Sequence, residues 1–227
     1  MSILIAADTL LRGGARNARQ RDATLLGMDY RLLITLIAAF GALYGFLMGT
    51  FSGVRGDHSL QLLYSALKVP LLLLVTFGLS LPGFFVLNTL MGVRSDLQHA
   101  LKALLAAQAG MTIILSSFAP FTLLWYASCA DYNAAILFNS MVFAAATLIS
   151  QRLLRKYYGP LLERDRHHRI LLRIWLLTYG FVGIQMGWVL RPFVGAPWSA
   201  THFFREGAWS NAYEVLMKMA SAALRGH

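Results

Sequence analysis

Four amides, Asn88, Gln108, Asn139 and Gln185, stand inside apolar stretches, where a polar side chain needs either a partner or a purpose. Their chemistry is hydrogen bonding between helices, worth about 0.6 to 2 kcal/mol per bond in hydrocarbon, or the lining of a path for a polar solute or ion. If successive helices alternate in direction, Asn88 and Gln108 fall at one depth and Asn139 and Gln185 at another, so these are the expected pairs. Lys68 sits near the first end of an apolar run that holds no acidic residue, and is expected to snorkel to the membrane interface.

Catalysis finds little footing. No GxSxG elbow, HExxH, Walker A loop, GxGxxG fingerprint or acidic cluster for magnesium is present. His58 with Asp57, His99, and His202 with Glu206 read as headgroup or solvent contacts. Adjacent His167 and His168 do not share a helix face, and Glu163, four residues before His167, leaves two ligands among arginines, a poor cation site. Cys129 is the only cysteine, which excludes an internal disulfide or a two-thiolate site and suits a small buried hydrophobe. The expectation is a non-enzymatic protein with no catalytic, cofactor-binding or metal residues.

What must position the amides is a set of membrane helices. The chain has 227 residues, 57% hydrophobic and 13% charged, and its apolar runs are continuous rather than alternating. In hydrocarbon such runs satisfy their backbone groups as helices. Five spans are predicted, at 32–53, 62–90, 103–119, 134–150 and 170–190. Pro70 and Pro82 are expected kink sites in the second, Pro120 ends or bends the third, and Gly159 with Pro160 stops the extension of the fourth. Together these give an all-α polytopic transmembrane bundle over 32–190.

The first span carries Gly41, Gly45, Gly49 and Gly53 at every fourth residue, and Gly183 and Gly187 repeat the spacing in the fifth. Small residues so placed let a second helix backbone approach closely. The expected neighbour of the first stripe is the Gly183 and Gly187 face, the Ala103 and Ala107 face, or the same stripe of a second copy.

Short amphipathic helices flank the bundle. Residues 2–12 place Ile3, Leu4, Ala7, Leu10 and Leu11 on one side, and Arg16, Arg19 and Arg21 follow, so 1–31 reads as an interfacial helix with a basic arm or as a frayed terminus. Across 191–227, an aromatic loop leads to a helix with Asn211 and Glu214 in capping-box spacing, expected to lie on the membrane or on a partner. The N-terminus lacks the order of a cleaved signal peptide.

Charge sets the topology. The N-terminal arm, Arg94, Lys102 and the segment 152–173 put 14 of the 20 Lys and Arg on one side of five spans. Basic loops stay cytosolic, so the N-terminus is expected inside and the C-terminus outside, in a bacterial inner membrane. Arg152, Arg155, Lys156, Arg164, Arg166 and Arg169 are the expected contacts to anionic lipid headgroups. The net charge of +10 needs no nucleic acid, since no nucleic-acid-binding motif accompanies it.

At Leu81-Pro82-Gly83 through Leu87-Asn88, at Leu90-Met91-Gly92, and at Arg191-Pro192-Phe193-Val194-Gly195, the chain resembles a loose group of bacterial five-span integral membrane proteins of Yip1-like layout. The resemblance covers most of the spanning part and omits the long acidic arm of the eukaryotic members. It implies a non-catalytic role in membrane organisation and partner binding, and supplies no site residues. The functional expectation is an accessory or assembly subunit, or a self-associating membrane organiser, present as a homo-oligomer or within a larger complex. The alternative is a small channel or transporter lined by the amides.

Overall fold

The computed structural model describes residues 3–12, 24–53, 59–196, 198, 201–205, 207–215, 217 and 221. All regular structure among them is helical. An N-terminal helix α1 (Ile3–Arg12) precedes α2 (Tyr30–Gly49), α3 (Ser59–Leu90), α4 (Leu97–Ser117), α5 (Ala119–Ser128), α6 (Tyr132–Arg164) and α7 (His167–Leu190). Five helical stretches are long and apolar enough to cross a membrane, with α4 and α5 counting as one. The chain is a five-span integral membrane protein.

The helix ends follow local chemistry. At the end of α3, Gly92 takes a φ of 75° and lets the Val93 amide donate to the Asn88 carbonyl at 3.1 Å, a Schellman-type stop. Pro120 falls in the first turn of α5, where its missing N–H costs nothing, and the break at Phe118 separates α5 from α4. Pro70 and Pro82 lie inside α3, which runs unbroken through both.

Pro160 behaves otherwise than expected. It and Gly159 do not stop α6, which continues to Arg164. A proline there forfeits one backbone bond, but Tyr157, Tyr158 and Leu161 on the same turns are fully buried, and that burial outweighs the loss.

The core centres on α4. Its alanines, Ala100, Ala103, Ala106 and Ala109, are inaccessible to solvent and allow α2 and α6 to pack on either side of it. In the α4–α5 stretch 61% of the most apolar window is buried, against 11% in α7. The bundle is therefore lopsided, with α7 held mainly along α3, where Phe77 and Phe84 pack edge-on against Trp175.

The neighbour of the first glycine stripe is α3, not any of the three expected faces. A methyl group added at Gly41 would stand 3.4 Å from Pro70 N. One at Gly45 would press into the Ser65 carbonyl and lie 2.9 Å from its carbon, and one at Gly49 would lie 2.9 Å from Leu62 Cα. A glycine or alanine repeat is the usual mark of such a neighbour, whereas α3 presents its own backbone beside Ser65 and Ala66. Gly53 takes no part, since it has a φ of 105° and open space around it. Gly183 meets only Thr76, and Gly187 has no atom within 4 Å of its Cβ position.

The basic segments gather at one end. There α1 buries Ala6, Ala7 and Leu10 against the bundle, leaving Leu4 exposed. Its last carbonyls, which the helix itself leaves without donors, accept from Tyr157 Oη (Leu10 O, 2.8 Å) and Lys156 Nζ (Arg12 O, 2.9 Å). The arm carrying Arg16, Arg19 and Arg21 lies outside the described residues.

Candidate functional site

The opposite end of the bundle is built around a strap, residues 191–194, that leaves α7 and crosses α3. Gln61, Ser65 and Lys68 share one face of α3 at i, i+4 and i+7, and they hold the strap by its carbonyls. Lys68 Nζ donates to Pro192 O at 2.8 Å and stands 5.1 Å from the centre of the Phe203 ring. Ser65 Oγ donates to Phe193 O at 2.5 Å, and Gln61 Nε2 donates to Ser65 Oγ at 3.0 Å. Lys68 is fully buried, which corrects the snorkelling expected of it. The strap brings acceptors to the lysine, so it has no need to reach water.

The strap fixes Arg191. Its guanidinium carbon sits 3.2 Å from the centre of the Trp188 ring, and its Nε is buried with no acceptor among the described residues. Burial lowers its pKa from the ordinary arginine value, and the like charge of Arg205 adds to the effect. Both arginines line a cavity of about 880 Å³ between α6 and the end of α7, with Tyr132, Asn139 and Ser140. Behind the strap a second cavity of about 470 Å³ is lined by Ser52, Gln61, His202 and again Tyr132 and Arg205. Neither cavity has a carboxylate on its wall among the described residues.

A hydrogen-bonded triad braces this end from below. Tyr44 Oη donates to Asn139 Oδ1 at 3.0 Å, and Asn139 Nδ2 donates to Tyr126 Oη at 2.6 Å and to Ala135 O at 2.7 Å. Tyr126 Oη reaches Met48 O at 3.3 Å. One amide thus joins α2, α5 and α6.

The amides do not form the expected pairs. Asn88 Nδ2 donates to Phe84 O in its own helix, and Asn88 Oδ1 has no donor. Gln108 Oε1 also lacks one, and its side chain lines a separate cavity of about 360 Å³ among α4, α6 and α7. Gln185 turns to the C-terminal segment, donating to Ser210 O at 3.1 Å and accepting from the Ala212 amide at 3.0 Å. A shared depth would not suffice to pair them, because depth says nothing of which way each side chain points around its helix.

That segment packs on its own chain. Trp188 Nε1 donates to Ser210 Oγ at 2.9 Å, and Tyr213 stacks on Phe181 with ring centres 4.4 Å apart, so 207–213 runs antiparallel along α7. Asn211 caps the following turn by accepting from the Tyr213 amide at 3.0 Å. Beyond 215 only Met217 and Ser221 are described, so most of the apolar face expected there, Leu216, Met219, Ala220 and Ala223, lies outside the described residues.

At the basic end a second polar cluster ties three helices. Asp96 accepts from Arg164 at 3.2 Å and faces fully buried His168 at 3.2 Å, whose Nδ1 lies 3.4 Å from Tyr158 Oη. Asp165 accepts from the His167 amide at 2.9 Å and meets the His167 ring at 2.8 Å, and these contacts, the amide first, hold its carboxyl below the usual range. Arg152, Arg155, Arg166 and Arg169 are exposed beside the cluster, whereas Arg164 and Lys156 are committed to Asp96 and Arg12. Among the described residues no three His, Cys, Asp or Glu side chains converge as a metal site. His58 and Glu206 lie outside them.

Residues that matter most here gave only faint signals in the sequence. The polar period of Gln61, Ser65 and Lys68 in an apolar helix was one. Arg191 and Arg205 gave none, being fourteen positions apart in a loop. No family model, curated protein or solved structure matches this chain.

Proposed function

We propose that this chain is a non-catalytic membrane protein that works by packing against a neighbour, either a second copy or a partner subunit of a larger complex. Its basic end faces the cytosol of a bacterial inner membrane, and the strap end faces outward. The charge division supports that orientation, because the segments holding 14 of 20 Lys and Arg are the ones that belong to a single end.

The observation that carries the packing role is the unequal cover of the helices. α4 is enclosed by its own chain, while α7 has only 11% of its most apolar window buried. Leu177, 74% exposed, marks the outward flank.

Cysteine placed at Leu177 in a Cys129→Ser background tests this by cross-linking in native membranes. One discrete adduct, at twice the mass or at the mass of chain plus one partner, is expected. Uncross-linked monomer alone would overturn the reading.

A further inference from the structure

α6 and α7 barely touch, and two cavities lie between them, one after the other along α7. The cavity of about 880 Å³ at the strap end and the one of about 360 Å³ nearer the middle share Ile184 as a wall. The first begins at Arg191 and the second reaches Trp175, sixteen residues back along α7, so the two cavities together flank about 24 Å of that helix at 1.5 Å per residue, a fissure in two parts. One leaflet of a bilayer is about 15 Å deep in hydrocarbon.

Its chemistry changes along that length. At the strap end Arg191 and Arg205 face it together, with Tyr132, Asn139 and Ser140 beside them. Going down α7 the wall becomes Gly187, Ile184, Gly183 and Gly180, small and apolar, with open space where side chains of the glycines would stand at 180 and 187. Arg191 is held over the Trp188 ring with its Nε buried and without an acceptor among the described residues. Two guanidinium groups turned to one cavity, without a carboxylate on its described wall, repel each other until an anion enters. A buried donor without an acceptor is costly, and a phosphate oxygen would supply one.

We propose that this fissure seats one anionic lipid, its phosphate between Arg191 and Arg205 and an acyl chain along the glycine-lined wall of α7. The site is distinct from the exposed arginines of the basic end, which meet headgroups only at the surface. A free inorganic phosphate would meet the same arginines but leave the apolar part of the fissure unfilled. The site does not depend on the packing role proposed above, since it lies within one chain.

The test uses the full chain purified in mild detergent, with lipid retention read by native mass spectrometry after addition of phosphatidylglycerol or phosphatidylcholine. Wild type should hold one phosphatidylglycerol in preference to phosphatidylcholine by about tenfold or more, the worth of one charge-assisted contact. Arg205→Gln, at an exposed side chain, should abolish that preference without unfolding the protein, and Arg191→Gln should do the same if it folds. Gly187→Leu keeps both charges and should reduce phosphatidylglycerol retention by about tenfold by filling the fissure. The double variant Arg166→Gln, Arg169→Gln at the basic end should retain the lipid like wild type. The proposal is overturned if Arg205→Gln keeps the preference, if the basic-end variant loses it, or if Gly187→Leu retains the lipid unchanged. It is equally overturned if inorganic phosphate displaces the lipid at equal concentration, which would make the arginines an anion site only.

Discussion

Replacing Gly45 by alanine adds one methyl group where the structure has no room for it. The new Cβ would press into the Ser65 carbonyl oxygen, 2.9 Å from the carbonyl carbon and 3.0 Å from Ala66 Cα. All three are backbone atoms of α3, so no side chain can swing aside, and the two helices must move apart. Overpacking of this kind costs about 1–3 kcal/mol, and the position should fall in the upper part of that range because Gly41 and Gly49 sit on the same interface. Gly83 in α3 is the control, being exposed with nothing within 4 Å of its Cβ position, and alanine there should be neutral or stabilise by up to about 1 kcal/mol. Unfolding of the detergent-solubilised protein by a denaturing detergent, followed by circular dichroism, gives both numbers. Gly45→Leu should be worse than Gly45→Ala, and worse than Leu47→Ala on the half-buried flank. If Gly45→Ala unfolds at the wild-type midpoint or above it, α2 and α3 do not meet backbone to backbone at Ser65, and the reasoning fails.

Two further outcomes concern the ends of the bundle. Lys68→Met removes the donor to Pro192 O and should cost about 1–3 kcal/mol, with faster deuterium uptake across 192–195; unchanged uptake would mean that the lysine does not hold the strap. Asp165 has its carboxyl pKa lowered by the His167 amide, so it contributes stability above the unfolded carboxylate value and loses it as pH falls through the lower folded one. Asp165→Asn should therefore lower stability at neutral pH and flatten the acid limb, the variant and wild type converging as pH falls, and an unaltered acid limb would show the contact to be idle.

Much of the architecture was legible because hydrocarbon imposes few rules and composition obeys them. The run at 32–53 and the helix Tyr30–Gly49 differ only at their ends, and the other four spans fall within helical stretches of the structure. Length and apolarity were enough for that. What could not be read is rotation about each helix axis and the course of the strap. The stripe at Gly41, Gly45 and Gly49 announced a close neighbour, but Ser65 and Ala66 do not look like half of a motif until α3 is laid against it. Lys68 seemed a cation in need of water, because its acceptor, Pro192 O, lies 124 residues away. Arg191 and Arg205 read as two unrelated positive charges on the minority side of the topology count. Asn139 needs partners inside the bundle, yet the tyrosines that supply them, Tyr44 and Tyr126, are 95 and 13 residues away and carry no mark that pairs them with an amide.

The proposed orientation, with five crossings, puts the two ends of the chain on opposite sides of the membrane. Reporter fusions that fluoresce only in the cytosol and hydrolyse substrate only outside it, made within the 164–167 turn and after Arg225, measure this directly. The predicted result is cytosolic signal at the first site and external activity at the second, as the gathering of basic segments at one end requires. A cytosolic C-terminus would contradict it, and would mean that α3, the longest apolar stretch beside its two prolines, or the segment after Arg191 crosses differently from the path described.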